Sequence, residues 1–591
     1  MLPRVPTELI NEYPAVIGTI RSLNVMPSMR ALWTAGPALA ENNVACFNCA
    51  YLPIDSPLSW QEMMLILMNG GGVGFSVERQ YINRLPEIPE DLDHSGRKLI
   101  FEDSKEGWAT GLFQLINDMY DGEIREFDLS QLRPAGARLK TFGGKSSGPE
   151  PLEQLLKFVV QVFKNAKGRK LNSLEVHDIC CYMANCVVSG GVRRSATISL
   201  SNLTDERLQG AKKGEFWRVH PYRSLANNSV AYTEKPDSAR FMREWLSLME
   251  SGSGERGIFN RESAEFVAMR SGRRSGGHEW GTNPCSEVIL RPYGLCNLTE
   301  VIVRPVDSLN DLKKKIEVAT ILGCIQSTLT DFQGLRPEWK QNAEDERLLG
   351  VSLSGLADHR TLNHSSAVMS RWLRELKDVA IDTAEVCSEA MNINMPTAIT
   401  CIKPSGTVSQ LVGCSSGLHP AFSPYYIRRV RVAAVDNLAD YMISMDVPHA
   451  PEVGQTLQNV NTWVFEFPHK TSKHSVFVKD VDAITQLEYW LTIQQEWCEH
   501  KPSCTIYVDD HEWLDVGAWV YRNWEWISGI SFLPKDNTVY SLLPYEEITK
   551  DKYNELNNSF PTLNFDDIVE SEDETIGAQE FACVSGSCEL R

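Results

Sequence analysis

The chain has 591 residues, 42% hydrophobic and 23% charged, with a formal net charge of −19. These are the values of a globular protein with room for a large core, and the acidic balance argues against a polymeric nucleic acid as partner while leaving single nucleotides open. No run of eighteen apolar residues could span a bilayer, and the first thirty residues lack the apolar core of a signal peptide, so a cytoplasmic protein with no membrane partner is expected.

Helical periodicity stands at 59–69 (SWQEMMLILMN), 151–166, 173–188, 239–250 and 367–391. β-rich runs stand at 196–200 (ATISL), 286–290 (SEVIL), 462–466 (TWVFE) and 504–508 (CTIYV). Short apolar runs alternating with helices predict an α/β fold around a buried, largely parallel sheet. The last stretch, FDDIVESEDETIGAQEFACVSGSCELR, is acidic and then small and polar. It is expected to form a flexible tail over 568–591.

Fifteen cysteines in a chain this size do not make a disulfide scaffold, and a reducing compartment leaves them as free thiols. Three stretches carry the most informative of them. In GTNPCSEVILRPYGLCNL, Asn283, Cys285 and Glu287 alternate, and Cys296 follows. In an extended segment those three side chains face one way, so an amide, a thiol and a carboxylate converge on one small ligand. The plainer reading is a buried cysteine beside polar turn residues. In ACFNCAYLPI, Cys46 and Cys49 form a C-x-x-C, with no second ligand pair to complete a zinc site. In CVSGSCEL, Cys583 and Cys588 flank small residues that let the pair close into a disulfide and deliver electrons to a buried site, unless they are incidental.

KPSGTVSQL places Lys403, Ser405, Gly406 and Thr407 together, a turn that receives phosphate oxygens at a helix N-terminus or is simply a capped turn. NGGGVGFSV (69–77) fits neither the dinucleotide nor the Walker pattern, and close backbone packing is the better explanation of its glycines. LRPAGARLKTFGGKSSGPEPL (132–152) and SGGVRRSATISL (189–200) add basic and glycine-rich loops.

Taken together and in order, NCAYLP, RPAGARLKTFGGKSSGPEPL, VVSGGVRRSATISL, NPCSE followed by LCNL, KPSGTVSQL and the terminal C-x4-C closely resemble the adenosylcobalamin-dependent, class II ribonucleotide reductases of the monomeric ribonucleoside-triphosphate type. The resemblance runs from about residue 25 to the end. It implies a ten-stranded α/β barrel whose central finger loop carries Cys285 as the thiyl-radical cysteine. It further implies that Asn283 holds the substrate hydroxyls and that Glu287 takes the 3′-hydroxyl proton. Cys49 and Cys296 become the redox-active disulfide, Cys583 and Cys588 reduce it, and thioredoxin reduces them. Ser405, Gly406 and Thr407 contact phosphate.

The implied partners are a ribonucleoside triphosphate and a deoxynucleotide effector, and the implied cofactor is adenosylcobalamin. Asp509 and His511 in DDHEWL lack the glycine of D-x-H-x-x-G, so the cofactor's lower base is expected to stay on cobalt. The end, GSCELR, lacks the motif of the glycyl-radical class, and Tyr425 and Tyr426 are expected to be structural rather than radical relays. The expected organisation is an N-terminal segment to residue 50, an inserted helical effector region over 51–150, a catalytic barrel over 151–567 and the tail. No separate N-terminal ATP-binding cone is expected, hence no overall control by dATP. Two other classes stay open: another dithiol oxidoreductase, and a non-catalytic nucleotide-binding protein.

Overall fold

The computed structural model describes residues 13–134, 148–189, 197–434, 437–452, 456, 457, 460, 462–535 and 544–568. Cys583 and Cys588, most of the 132–152 loop, and Arg193 and Arg194 lie outside the described residues.

The chain opens with β1 (Val25–Pro27), β2 (Cys49–Pro53) and β3 (Gly72–Ser76), then forms a parallel ribbon of β4 (Asp93–Ile100) and β5 (Glu123–Asp128). β6 (Thr197–Asn202), β7 (Ala226–Tyr232) and β8 (Gly257–Asn260) follow. A short hairpin, β9 (Gly281–Thr282) and β10 (Ile289–Leu290), leads into β11 (Gly294–Cys296), β12 (Leu298–Ile302), β13 (Gly350–Ser354) and β14 (Thr400–Cys401). Last come β15 (Tyr425–Ala433), β16 (His449–Pro451), β17 (Thr462–Lys470), β18 (Thr505–Val508), β19 (Gly529–Pro534) and β20 (Tyr545–Glu547).

Two sheets build the barrel. The larger runs β11-β2-β3-β6-β7-β8-β19-β18 and the smaller β1-β12-β13-β14. The ladders do not close into one, but the chain joins them twice. β11 continues through Asn297 into β12, and an isolated parallel bridge pairs Ile402, just past β14, with Pro502, just before β18. With β11–β12 counted as one strand, the ring is β2, β3, β6, β7, β8, β19, β18, β14, β13 and β11–β12, ten in all. β2, β3, β6, β7 and β8 are mutually parallel, and the direction reverses where β8 meets β19. Strands such as β3 and β13 bury every residue, as parallel strands covered on both faces must.

The helices cover the outside. Glu150–Asn165 carries Leu152, Leu155, Leu156, Val159, Val160 and Phe163 on one buried stripe, with Glu150 and Glu153 in its first turn and Lys164 in its last. Leu309–Ser327 starts at a capping box between Ser308 and Asp311. The five expected helices are present as Pro57–Met68, Glu150–Asn165, Ser173–Ser189, Ser238–Ser251 and Ala367–Met391.

The expected organisation needs two corrections. β2 and β3 belong to the barrel sheet, so the barrel starts near residue 49 and 51–150 is not all insert. Its glycine run 69–77 holds the barrel strand β3, whose missing side chains admit close packing: a Cβ on Gly74 would stand 1.9 Å from the Thr282 carbonyl oxygen. At the other end, β16-β17-β15-β20 form a separate antiparallel sheet, so 425–470 and 545–567 are not barrel. Tyr426 of that sheet stacks on His469 at 4.9 Å between ring centroids, and Tyr425 packs against Tyr553.

Candidate active site

The β9–β10 hairpin runs inside the barrel. Trp280, Val288, Ile289 and Leu290 are buried among Tyr51, Leu200, Ala231 and Phe259 from the surrounding strands, each large apolar side chain contributing about 1.5–3 kcal/mol. Gly281 has no room for a side chain, because a Cβ would lie 2.1 Å from the Tyr51 ring.

Residues 283–288 form the tip. The expected alternation of Asn283, Cys285 and Glu287 in a strand, with β structure over 286–290, is corrected here: only Ile289 and Leu290 are strand, and 284–286 turn. Ser286 N–H donates to the Asn283 carbonyl at 2.8 Å, and Ser286 sits at φ 64°, a left-handed conformation unusual for a residue with a side chain. The turn achieves the convergence by another route. Asn283 Nδ2 donates to Glu287 Oε2 at 2.7 Å while its Oδ1 accepts from Val288 N–H at 3.0 Å. Both side chains are fully buried, and among the described residues Glu287 Oε1 has no hydrogen-bond partner. An unsatisfied buried carboxylate oxygen beside a thiol is a place for a ligand hydroxyl.

Cys285, half-buried at the tip, lies within the electrostatic reach of Cys49, which in turn contacts Cys296. Cys49 on β2 and Cys296 on β11 are cross-strand partners, Cys49 half-buried and Cys296 fully buried. Burial pushes the Cys285 thiol well up, helped by the fields of Glu287 and Cys49 and opposed by Lys403. Burial, then the contact with Cys49, pushes Cys296 up as well. Both are therefore held as S–H. Burial also raises Glu287, against the Asn283 hydrogen bond and the charge of Lys403.

Two lysines face this carboxylate. Lys403 Nζ lies 3.5 Å from buried Glu300. Burial acts to lower Lys403, but Glu300, Glu287 and the thiols outweigh it and raise it. Lys403 thus points into the barrel, apart from the phosphate-like turn that follows it. Lys501 is completely buried, with Nζ 2.6 Å from Ser286 Oγ. Burial lowers its pKa to about 7, against the pull of Glu287. Neither its place in the site nor that of Glu300 or Ser503 is visible in motif spacing. The available signal is that Lys-Pro-Ser occurs at both 403–405 and 501–503, the two stretches that the Ile402–Pro502 bridge sets side by side.

The turn at 405–407 opens the helix Thr407–Val412. Ser405 is buried with Oγ accepting from Ser409 N–H at 3.1 Å, whereas Gly406 and Thr407 are exposed. Cys46, the other half of the C-x-x-C, is buried away from this pair of strands and pushed up to about 12 by burial.

Comparisons with known proteins converge on one group. Residues 88–163 match the family model described as the B12-dependent ribonucleotide reductase insertion domain; β4, β5 and the helices Lys105–Tyr120 and Glu150–Asn165 lie there. An adenosylcobalamin-dependent ribonucleoside-triphosphate reductase of Euglena gracilis is 30% identical over 91% of this chain and 74% of the relative. One of Lactobacillus gasseri is 26% identical over 99% of this chain and 90% of its own length. A crystal structure of a B12-dependent (class II) ribonucleotide reductase superposes with a TM-score of 0.80 at 23% identity, covering 96% of this chain and 88% of that one, which shows a common fold. With 0.52 at 12% identity, the alpha subunit of the Actinobacillus ureae class Id enzyme matches less closely. The chain belongs to the family of adenosylcobalamin-dependent ribonucleoside-triphosphate reductases.

Proposed function

We propose that this protein reduces ribonucleoside triphosphates to 2′-deoxyribonucleoside triphosphates by thiyl-radical chemistry. The observation that carries the reading is the meeting of three thiols and one amide-bound carboxylate at the tip of a hairpin inside a barrel. The residues fit adenosylcobalamin chemistry: Cys285 is half-buried at the tip and held as a neutral thiol, the form from which a hydrogen atom, rather than a proton, is taken. When bound, the cofactor supplies a carbon-centred radical able to take that atom.

Cys285 as a thiyl removes hydrogen from C3′ of the ribose. Glu287, held by Asn283, accepts the 3′-hydroxyl proton through its free Oε1. One thiol of the Cys49–Cys296 pair protonates the departing 2′-hydroxyl. The pair supplies two electrons and ends as a disulfide, the 2′ carbon gains hydrogen, water leaves, and Cys285 returns its hydrogen to C3′. Cys583 and Cys588 then reduce the disulfide by exchange, with thioredoxin as the external reductant. Ser405, Gly406 and Thr407 hold phosphate oxygens, and the region matched by the insertion-domain model binds a deoxynucleotide effector in a monomeric, cytoplasmic enzyme. No helix among the described residues is long and apolar enough to cross a membrane.

The test is turnover of a ribonucleoside triphosphate with adenosylcobalamin and thioredoxin, omitting each in turn. Deoxynucleotide formed only with all three supports the reading. Turnover that persists without adenosylcobalamin refutes it.

A further inference from the structure

The tip of the hairpin is held from outside by one short segment. Ser503 Oγ donates to the Cys285 carbonyl, Lys501 N–H donates to the Glu287 carbonyl at 3.2 Å, and Lys501 Nζ donates to Ser286 Oγ at 2.6 Å. Three successive tip residues, including both that carry the chemistry, are thus tied to Lys501 and Ser503. The segment is itself fixed to the barrel wall, since Ile402 N–H donates to the Lys501 carbonyl at 3.2 Å and Ser503 N–H to that of Ile402 at 2.9 Å.

An ammonium buried this deeply is costly and persists only where its surroundings compensate. Those surroundings are specific. Among the described residues its one hydrogen bond is to Ser286. Nζ also lies 5.7 Å from the centre of the Phe259 ring. Gly529 leaves the space, because a Cβ there would stand 2.2 Å from Nζ and 3.1 Å from Ser286 Oγ. Ser286, the acceptor, is the residue in the left-handed conformation. A strained conformation next to a reacting group persists where contacts over-determine it.

We propose that Lys501 is a positioning residue whose Nζ, through its hydrogen bond to Ser286, locks the left-handed turn that aims Cys285 and Glu287 at the substrate. The inference rests on the reading of these two residues as radical carrier and base, but the lock itself can be tested without turnover. In the full chain without cofactor, amide hydrogen exchange across 282–290 should quicken about tenfold in Lys501→Met, with no such quickening in the other barrel strands. Unaltered protection overturns the lock, whatever the protein's activity.

With adenosylcobalamin, a ribonucleoside triphosphate and a small dithiol, Lys501→Met should lower kcat about tenfold to a hundredfold, as an ångström-scale misplacement does, while KM stays within about twofold. Ser286→Gly, which suits the left-handed turn but removes the acceptor, should lower kcat similarly, and the double variant should be no worse than the poorer single one. Gly529→Ala should reproduce the kcat loss by displacing Nζ. Multiplicative losses in the double variant, or an intact kcat in Lys501→Met, overturn the role through Ser286. A wild-type chain without turnover refutes the proposed function instead and leaves the exchange result to decide the lock.

Discussion

Cys49 and Cys296 face each other across an antiparallel strand pair, one half-buried and the other sealed from solvent. Directly opposed residues in such a pair lie about 4.5–5.5 Å apart at Cα, within the span of a disulfide. The two strands therefore need no rearrangement to alternate between dithiol and disulfide. Because only Cys49 is reachable, exchange should begin there. In Cys296→Ser a mixed disulfide between Cys49 and Cys583 or Cys588 should accumulate on oxidation, and in Cys49→Ser it should not. Peptide mapping under non-reducing conditions reads the difference, and an adduct on Cys296 would reverse the order.

Either serine variant should still form the radical but stall before reduction. Cys285→Ala should abolish even a single turnover by pre-reduced enzyme, together with hydrogen exchange at the cofactor's 5′ carbon. Exchange that survives in this variant would place the radical on another residue.

Changing Cys583 and Cys588 together to Ser should spare turnover driven by a small dithiol and abolish turnover driven by thioredoxin. Equal loss with both reductants would assign the pair a structural role.

Glu287 titrates above its ordinary value of 4.5 because it is buried, with Asn283 and Lys403 restraining the rise. As the base it must be ionised, so kcat should climb with pH along a limb lying above 4.5. Removing either restraint, by Asn283→Ala or Lys403→Met, should move that limb to higher pH. Glu287→Gln should lower kcat by about a hundredfold to ten-thousandfold. A limb that moves down in Asn283→Ala would mean that another group titrates.

Lys501 supplies a stability test with a definite sign. Burial depresses its pKa from 10.5 to about 7, so between those values the unfolded chain holds a proton that the folded chain lacks, and folding gains stability as pH rises. Lys501→Met should therefore unfold at a higher temperature than wild type below about pH 7, with the gap closing toward pH 10.5. A gap that widens with pH would contradict the buried, depressed ammonium.

Much of this was legible in the residues. Stripes such as Leu152, Leu155, Leu156 and Val159 gave their helix directly, because burial of one face has a fixed period. The thiols and the Asn-x-Cys-x-Glu pattern pointed to residues that the structure gathers at and beside the hairpin tip. What spacing could not supply was the turn at Ser286, since period-two alternation and a tight loop bring the same side chains together by different backbones. Nor could it supply Lys501, whose relation to Ser286 spans 215 residues and depends on barrel closure. The boundary at β2 and β3 was missed because a glycine-rich strand offers few side chains from which to read a period.

The segment that fastens the hairpin tip arrives late in synthesis. Ser503 follows Cys285 by 218 residues, and the Ile402–Pro502 bridge joins the barrel's two sheets at the same place. A nascent chain still short of residue 501 consequently has Cys285 already translated but lacks the segment that braces it. Completion of the wall and bracing of the hairpin tip therefore fall together, once residue 503 has been made.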